Sequence, residues 1–379
     1  MTEAPSAAGT RLRLARQARG LSQQQLAGMA AVTRQAVSAV ESGHSDPSLR
    51  VALALASALG LTVEDLFGPG DPADPVLAQP VAPLGGEGSR VTLAMVGDMF
   101  VALPLRADTA ARAGLGPACG LVAGPPPREP REAREVREVR EAREARGPVP
   151  VRPIGPPRPT LIVAGCDPAL PLLETPLTLL DPPVGFAWWP CGNREALRLA
   201  AAGLVHAAGV HQPGEPGEAI EIPGGAGVVG FTSWREGLVI RPRTPVTGLG
   251  DVAGRGLRLV NRERGAQARA LLDRERLRLR LEEAELPGYD TQAAGHLQVA
   301  AAVAGRLADA GVSSEPAALA YGLDFIPLAD ERFDLVLPAK HAASREVQSL
   351  LKVLTSPWLL AQLASIPGYD PACCGERSP

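Results

Sequence analysis

Residues 11–67 carry five helix-start signals in succession, and that density commits the stretch to a small helical bundle. Residues 11–19 form the first expected helix, with Leu12, Ala15 and Arg16 sharing a face and Gly20 placed to end it. Ser22 and Gln25 make a capping box, each side chain able to bond the other's backbone amide. Leu26 and Ala27 then turn inward. Thr33 caps a third helix over 34–42, whose Val37 and Val40 face the core. Asp46 and Pro47 open a fourth, with an acceptor at the cap and proline at the first helical position. It carries Leu49, Leu53, Ala56 and Leu59 and stops at Gly60; a short fifth helix, capped by 62–65, ends in Leu66 and Phe67.

Between Arg11 and Arg50 six arginines stand against two acids, Glu41 and Asp46, on a chain of formal net charge −3. A bundle that binds protein is the alternative, and this local positive excess favours nucleic acid. The segments LSQQQLA, VTRQAVSAVESG, DPSL and LGLTVEDLF resemble the XRE-type, phage-repressor-like helix-turn-helix family. The resemblance implies that the third helix enters the major groove of a double-stranded DNA operator. The DNA-facing set is then Gln23, Thr33, Arg34, Gln35 and Ser38. Gln23 would hold phosphate; Arg34, Gln35 and Ser38 would meet base edges, where Arg suits guanine and Gln adenine. One unit reads one half-site, so a homodimer is expected. Arg16 and Glu41 match the family's interhelical ion pair. Ala31 stands where the family's turn usually has glycine, and a left-handed backbone there would cost Ala about 1 kcal/mol.

A length of 379 residues implies two or three domains. The first ten residues have neither an apolar core nor a basic leader, and no apolar run approaches the ~20 residues that span a bilayer. A cytoplasmic protein with no membrane partner is expected. The cysteines (Cys119, Cys166, Cys191, Cys373 and Cys374) are odd in number and contain no C-x-x-C pair. Neither a disulfide framework nor a metal site is expected, and no cofactor.

Residues 9–68 are the expected helix-turn-helix domain, and 69–89, rich in Pro and Gly, an extended linker. A small β segment fills 90–158; within it 90–96 and 99–103 flank Gly97-Asp98 as a hairpin. It includes a charged, disordered insertion at about 124–150, where 131–146 repeats Arg-Glu-Ala/Val. A period of three keeps no apolar face on a helix, and its i,i+3 pairs are like-charged.

From Pro159 strands alternate with helices, an α/β pattern that runs through 159–375. Expected strands lie at 160–164, 257–260, 325–328 and 334–337, and expected helices at 193–208, 266–272 and 296–310. The pieces VAGCDPAL, GLVHAAGVH, REGLVIRP, LVNRERGAQAR, GHLQVAAAVAGRLADAG and LTSPWLLAQLASIPGYD resemble a periplasmic-binding-protein-like domain of the molybdate-binding group. The resemblance implies a type II fold of two α/β lobes joined by crossing strands, with ligand in the cleft. The whole is thus a multidomain chain: an all-α helix-turn-helix domain, a small β segment, and an α/β two-lobed receptor.

Helix N-termini in such a cleft suit a small oxyanion effector such as molybdate or tungstate. The expected ligand residues are Cys166, Asp167, Gly192, Asn193, Gly265, Ala266, Gln267, Ala268, Arg269 and His296. Asp167 before Pro168 also suits a helix cap, Arg269 suits either an anion clamp or a solvated face, and His296 suits capping. Gly225 to Gly230 fits G-x-G-x-x-G without a strand–turn–helix around it, so a hinge or loop is the better reading. The combination reads as a ligand-responsive transcription regulator and not an enzyme, since no catalytic set appears at usable spacing. The alternatives are an enzyme or accessory protein of molybdenum-cofactor metabolism, and a DNA-binding protein whose receptor half only oligomerises.

Overall fold

The structure, a computed structural model, describes residues 7–67, 74–105, 117–124, 147–155, 158–212 and 225–378. The Arg-Glu repeat at 131–146 lies outside the described residues. Contacts divide the chain into two compact units that meet in sequence at Pro157 and Arg158.

The first unit opens with helices α1 (Ala7–Ala18), α2 (Gln23–Met29), α3 (Arg34–Glu41), α4 (Leu49–Leu59) and α5 (Val63–Phe67). Leu12, Leu26, Val37, Leu55, Leu59 and Leu66 are its buried centre. Both halves of the Ser22–Gln25 capping box form, and the Thr33 hydroxyl accepts the Ala36 amide at 3.1 Å. The fourth helix starts later than Asp46-Pro47 suggests: Ser48 is its cap and accepts the Val51 amide. Its buried stripe is Ala52, Leu55, Ala56 and Leu59, a 3.6-residue rhythm that leaves Leu49 and Leu53 71% and 54% exposed.

Five described strands then close into a barrel: β1 (Val76–Pro80), β2 (Arg90–Val96), β3 (Met99–Pro104), β4 (Gly120–Val122) and β5 (Val149–Pro153). The expected hairpin is β2–β3, turning at Gly97 with φ +60°. The expected linker is corrected in part, because β1 lies inside it and pairs with both β3 and β5. Prolines at 75 and 80 bound that strand, and their linker-like composition masks the alternation that buries Ala78 in the barrel.

The second unit is built on a sheet in the order β11-β10-β12-β9-β13-β8-β6-β7. Its strands are β6 (Thr160–Ala164), β7 (Gly185–Trp189), β8 (Ala207–Gln212), β9 (Gly227–Ile240), β10 (Leu259–Arg262), β11 (Gln292–Ala293), β12 (Ala310–Ser314) and β13 (Asp324–Leu337); β14 (Arg377–Ser378) adds to β9. β9 and β13 pair along their length and belong to two cores. Their Phe231, Trp234, Phe333 and Leu335 pack in the first lobe. Leu238, Ile240 and Ile326 pack in the second. The two strands expected at 325–328 and 334–337 are therefore one, and the charged residues between them pass through the cleft instead of a turn. Gly227 and Gly230 of the G-x-G-x-x-G match lie in β9.

Helices α6 (Glu174–Thr178), α7 (Asn193–Ala202), α8 (Leu249–Gly254), α9 (Gln267–Arg278), α10 (His296–Ala304), α11 (Glu315–Ala320), α12 (Arg345–Leu354) and α13 (Pro357–Ala364) cover the sheet. The expected helices at 193–208 and 296–310 stop at Gly203 and Gly305, after which the chain enters β8 and β12. Among the described residues no helix is long and apolar enough to cross a membrane.

Candidate functional site

Strand alternation places one face of the crossing strands in the cleft. Trp234 lies opposite Glu331 between β9 and β13, and His211 lies opposite Phe333 between β8 and β13. Ser314 at the end of β12 is opposite Glu236. Side chains two residues apart share a face, so Trp234 and Glu236 join Glu331 and Phe333 there. Cys166, on the turn after β6, and His296, first residue of α10, complete the group from the two lobes.

The group is buried and polar. His211 Nε2 is 2.8 Å from Cys166 Sγ, and its Nδ1 is 3.3 Å from Glu331 Oε2 and 3.8 Å from Glu236 Oε2. His296 Nδ1 is 3.7 Å from Glu236 Oε1. Both oxygens of Glu236, both ring nitrogens of His296, Arg262 Nη1 and Ser314 Oγ are buried with no hydrogen-bond partner among the described residues. Burial raises the Glu236 carboxyl to about 7, with His211 acting in the opposite direction. Burial also pushes His296 well below its ordinary value, with Arg262 and His211 adding to the effect, so it is a neutral imidazole. For His211 burial pulls down, but Cys166, Glu331 and Glu236 together outweigh it and hold the ring well above its usual value.

The other expected ligand residues divide sharply. Asp167 is fully committed: its carboxylate accepts from the Ala169 amide at 2.8 Å, Thr232 Oγ1 at 2.7 Å and Tyr369 Oη at 2.5 Å. Burial raises its pKa despite those bonds. Asn193 is spent on the backbone of His211, donating to the carbonyl at 3.2 Å and accepting from the amide at 3.0 Å. Arg269 is buried and not on a solvated face: it donates to the Arg262 carbonyl, lies 3.9 Å from Asp273 and stacks over Tyr289. Gly192 and Gly265–Ala266 face each other across the cleft; a Cβ on Gly192 would meet the Gly265 carbonyl oxygen at 3.3 Å. The N-termini of α7 and α9 thus converge. Gln267 turns in, its buried Nε2 unpartnered, while Ala268 is core.

In the helical domain Arg34, Gln35 and Ser38 are exposed on α3 and Thr33 caps it. Gln23 is half-buried and its side-chain amide donates to Glu41 Oε2 at 3.0 Å, where the Arg16 pair leaves that oxygen a free lone pair. Ala31 has φ +52°, the left-handed conformation that the turn demands.

Residues 12–66 match the helix-turn-helix family and 177–355 the PBP superfamily domain. The Bacillus subtilis (strain 168) protein YvgK is 31% identical over 144 residues, which cover 38% of this chain and 46% of that protein. A protein from the 5′ region of the ferredoxin 2Fe-2S gene of Clostridium pasteurianum is 32% identical over 101 residues, 26% of this chain and 89% of that one. A PBP superfamily domain thus spans residues 177–355 of the chain. The chain spans about half the length of YvgK. The tungstate ABC transporter structure from Geobacter sulfurreducens aligns to the PBP fold with TM-score 0.42 and 14% identity, over 54% of this chain and 97% of that one.

Sequence reasoning missed His211, Trp234, Glu236, Arg262 and Glu331 in the PBP domain. The charged residues of β9 and β13 alternate with neighbours such as Arg235 and Asp330 that point the other way. Only the strand phase separates the two sets, and a split β13 hides that phase.

Proposed function

We propose that the chain is a DNA-binding transcription regulator whose hold on its operator depends on a small ligand gripped between the lobes of the PBP domain. The observation that carries this reading is the set of bare polar atoms at a point built by both lobes. The bare atoms belong to His296, Arg262 and Ser314 of the second lobe and to Trp234 and Glu236 of the crossing strands, beside the hydrogen-bonded Cys166–His211–Glu331 chain that reaches in from the first lobe. Buried polar groups are nearly always partnered. A molecule that partners these is held from both sides and favours the closed arrangement.

The effector class we assign is a small oxyanion, with molybdate and tungstate first to be tried. The N-termini of α7, α9 and α10 supply amides and positive dipole ends, and Arg262 Nη1 supplies a charged donor. The cleft acts as a receptor and not as a catalytic centre. In the helical domain Arg34, Gln35 and Ser38 read base edges, and two copies of the chain read two half-sites. Leu49 and Leu53, exposed four residues apart on α4, support such a pairing.

Selection of the full chain against a random DNA library, with and without saturating molybdate, tungstate or sulfate, tests the reading. The expected DNA holds two half-sites about ten base pairs apart. One anion should change its affinity by about 5- to 150-fold. Recovery of a site whose affinity no anion alters would end the regulatory reading and leave a DNA-binding protein.

A further inference from the structure

Cys166, His211 and His296 bring one donor atom each to within 4.8 Å of one another, and all three side chains are buried. No short-range pattern links them, since they arrive from the turn after β6, from β8 and from the first turn of α10. A Cys–His–Glu chain of this kind is also the layout of a nucleophile, its base and an orienting carboxylate. That layout explains Cys166, His211 and Glu331, but gives no role to a buried His296 with both nitrogens bare, nor to a Glu236 whose oxygens have no hydrogen bond. A second ligand set explains all five.

We propose that the floor of the cleft is a transition-metal site of the zinc class, with Cys166 Sγ, His211 Nε2 and His296 Nε2 as its three protein ligands. This rests on the reading of the cleft as the effector site and names what the effector meets there. Glu331 stands beside Nδ1 of His211 and Glu236 beside Nδ1 of His296, at 3.3 Å and 3.7 Å. Carboxylates in those places fix the ring orientation and direct the other nitrogen at a metal. Zinc bonds of about 2.0–2.3 Å in a tetrahedron space their donors about 3.3–3.6 Å apart, so Cys166 and His211 must open from their 2.8 Å and the other pairs, at up to 4.8 Å, must close by about 1.5 Å at most. A thiolate and two imidazoles select zinc-class and copper-class ions over magnesium or calcium, which prefer oxygen. On loading, the Cys166 thiol proton and the His211 Nε2 proton leave to solvent, so that the sulfur binds as thiolate and both rings bind as neutral imidazoles.

Three protein ligands leave the fourth position of a tetrahedral ion open. The cation also resolves a difficulty of charge, since an oxyanion would otherwise enter beside Glu236, Glu331 and Cys166. With the ion in place, an anion oxygen can occupy the open position while Arg262 and the helix N-termini bind the rest.

Cobalt(II) titrated into the metal-stripped full chain tests the site, because a four-coordinate thiolate site gives intense visible bands and a sulfur-to-cobalt charge-transfer band. Saturation at one ion per chain and displacement by zinc are expected. Cys166→Ser should abolish the charge-transfer band, and a Cys191→Ser/Cys373→Ser/Cys374→Ser variant should keep it. His296→Gln and Glu331→Gln should each weaken cobalt binding by about 10-fold or more. Circular dichroism melts of each variant separate lost ligation from lost fold. Absence of the bands in a folded chain, or their survival in Cys166→Ser, overturns the metal site. So does fast alkylation of Cys166 that zinc does not slow. Tungstate is then added to zinc-loaded and stripped protein. Binding to both forms alike overturns the role of the ion in anion capture. Metal bands with no response to any anion retain the site and remove the oxyanion reading instead.

Discussion

Arg16 and Glu41 meet as a two-pronged, buried ion pair across 25 residues, Nε to Oε1 at 2.6 Å and Nη2 to Oε2 at 2.9 Å. Glu41 is 1% exposed, so removing Arg16 leaves a buried carboxylate with only the Gln23 amide and Arg13, 3.9 Å away, as side-chain partners. Arg16→Met should destabilise the helical domain by about 3–5 kcal/mol. Adding Glu41→Leu should restore most of that loss. Denaturant melts of the single and double variants measure both, and a double variant no better than the single would show that the pair is not the cause.

Ala31 occupies a backbone position with φ +52°. An L side chain crowds the following carbonyl there, whereas glycine does not. Ala31→Gly should therefore stabilise the domain, by about 1 kcal/mol after allowing for the entropy of glycine. A fall in melting temperature would contradict the strain argument.

Arg34 and Gln35 extend from the start of α3, with nothing buried upon them. Changing Arg34 to Ala should leave the fold intact, cost about 1–3 kcal/mol of operator binding and relax base preference at one position per half-site. Changing Gln23 to Ala should weaken the Glu41 network and lower stability more than DNA affinity. Competition binding against single-base operator variants distinguishes the two outcomes.

His206 is a buried acceptor: its Nδ1 takes the Ile162 amide at 3.0 Å. Burial, with His341 beside it, lowers its pKa from 6.5 to about 3. The folded state therefore resists a proton that the unfolded state accepts, and this contribution to stability is lost as pH falls from 6.5 toward 3. His206→Asn keeps an acceptor but does not titrate. Between pH 7 and pH 5 the variant should gain about 2 kcal/mol relative to the unaltered chain. Parallel loss in both proteins would assign the acid sensitivity elsewhere.

Gly192 has room for little more than hydrogen, with Gly265, Ala266 and Glu263 each within 3.4 Å of a Cβ there. Gly192→Val should wedge the lobes and lower anion affinity by about tenfold or more, with operator binding in the absence of anion unchanged. Calorimetric titration with the anion that the DNA selection singles out checks this.

The helical domain was legible in its element order and most of its caps, because these are local signals, although α4 is capped by Ser48 and buries Ala52 and Leu55 where Leu49 and Leu53 were expected. Ser22, Thr33 and Gly60 act as their types imply. The cleft was half legible. Loops that begin helices, at Gly192 and Gly265, announce themselves through glycine, and they do face the cleft. The groups that carry the chemistry do not, because His211, Glu236 and Glu331 lie within strands and meet only through register. Barrel strand β1 was hidden for a different reason: its flanking prolines resemble those of a linker.

Glu236 rides on β9 and Glu331 on β13, the two strands that both lobes share. Those carboxylates consequently sit at the fulcrum of any opening motion, where displacement is least, while Gly192 and Gly265 lie out along the arms. What the cleft recognises and how far it swings are then separate inheritances. Loops on the arms can lengthen or stiffen the stroke over evolutionary time without retuning the chemistry at the pivot.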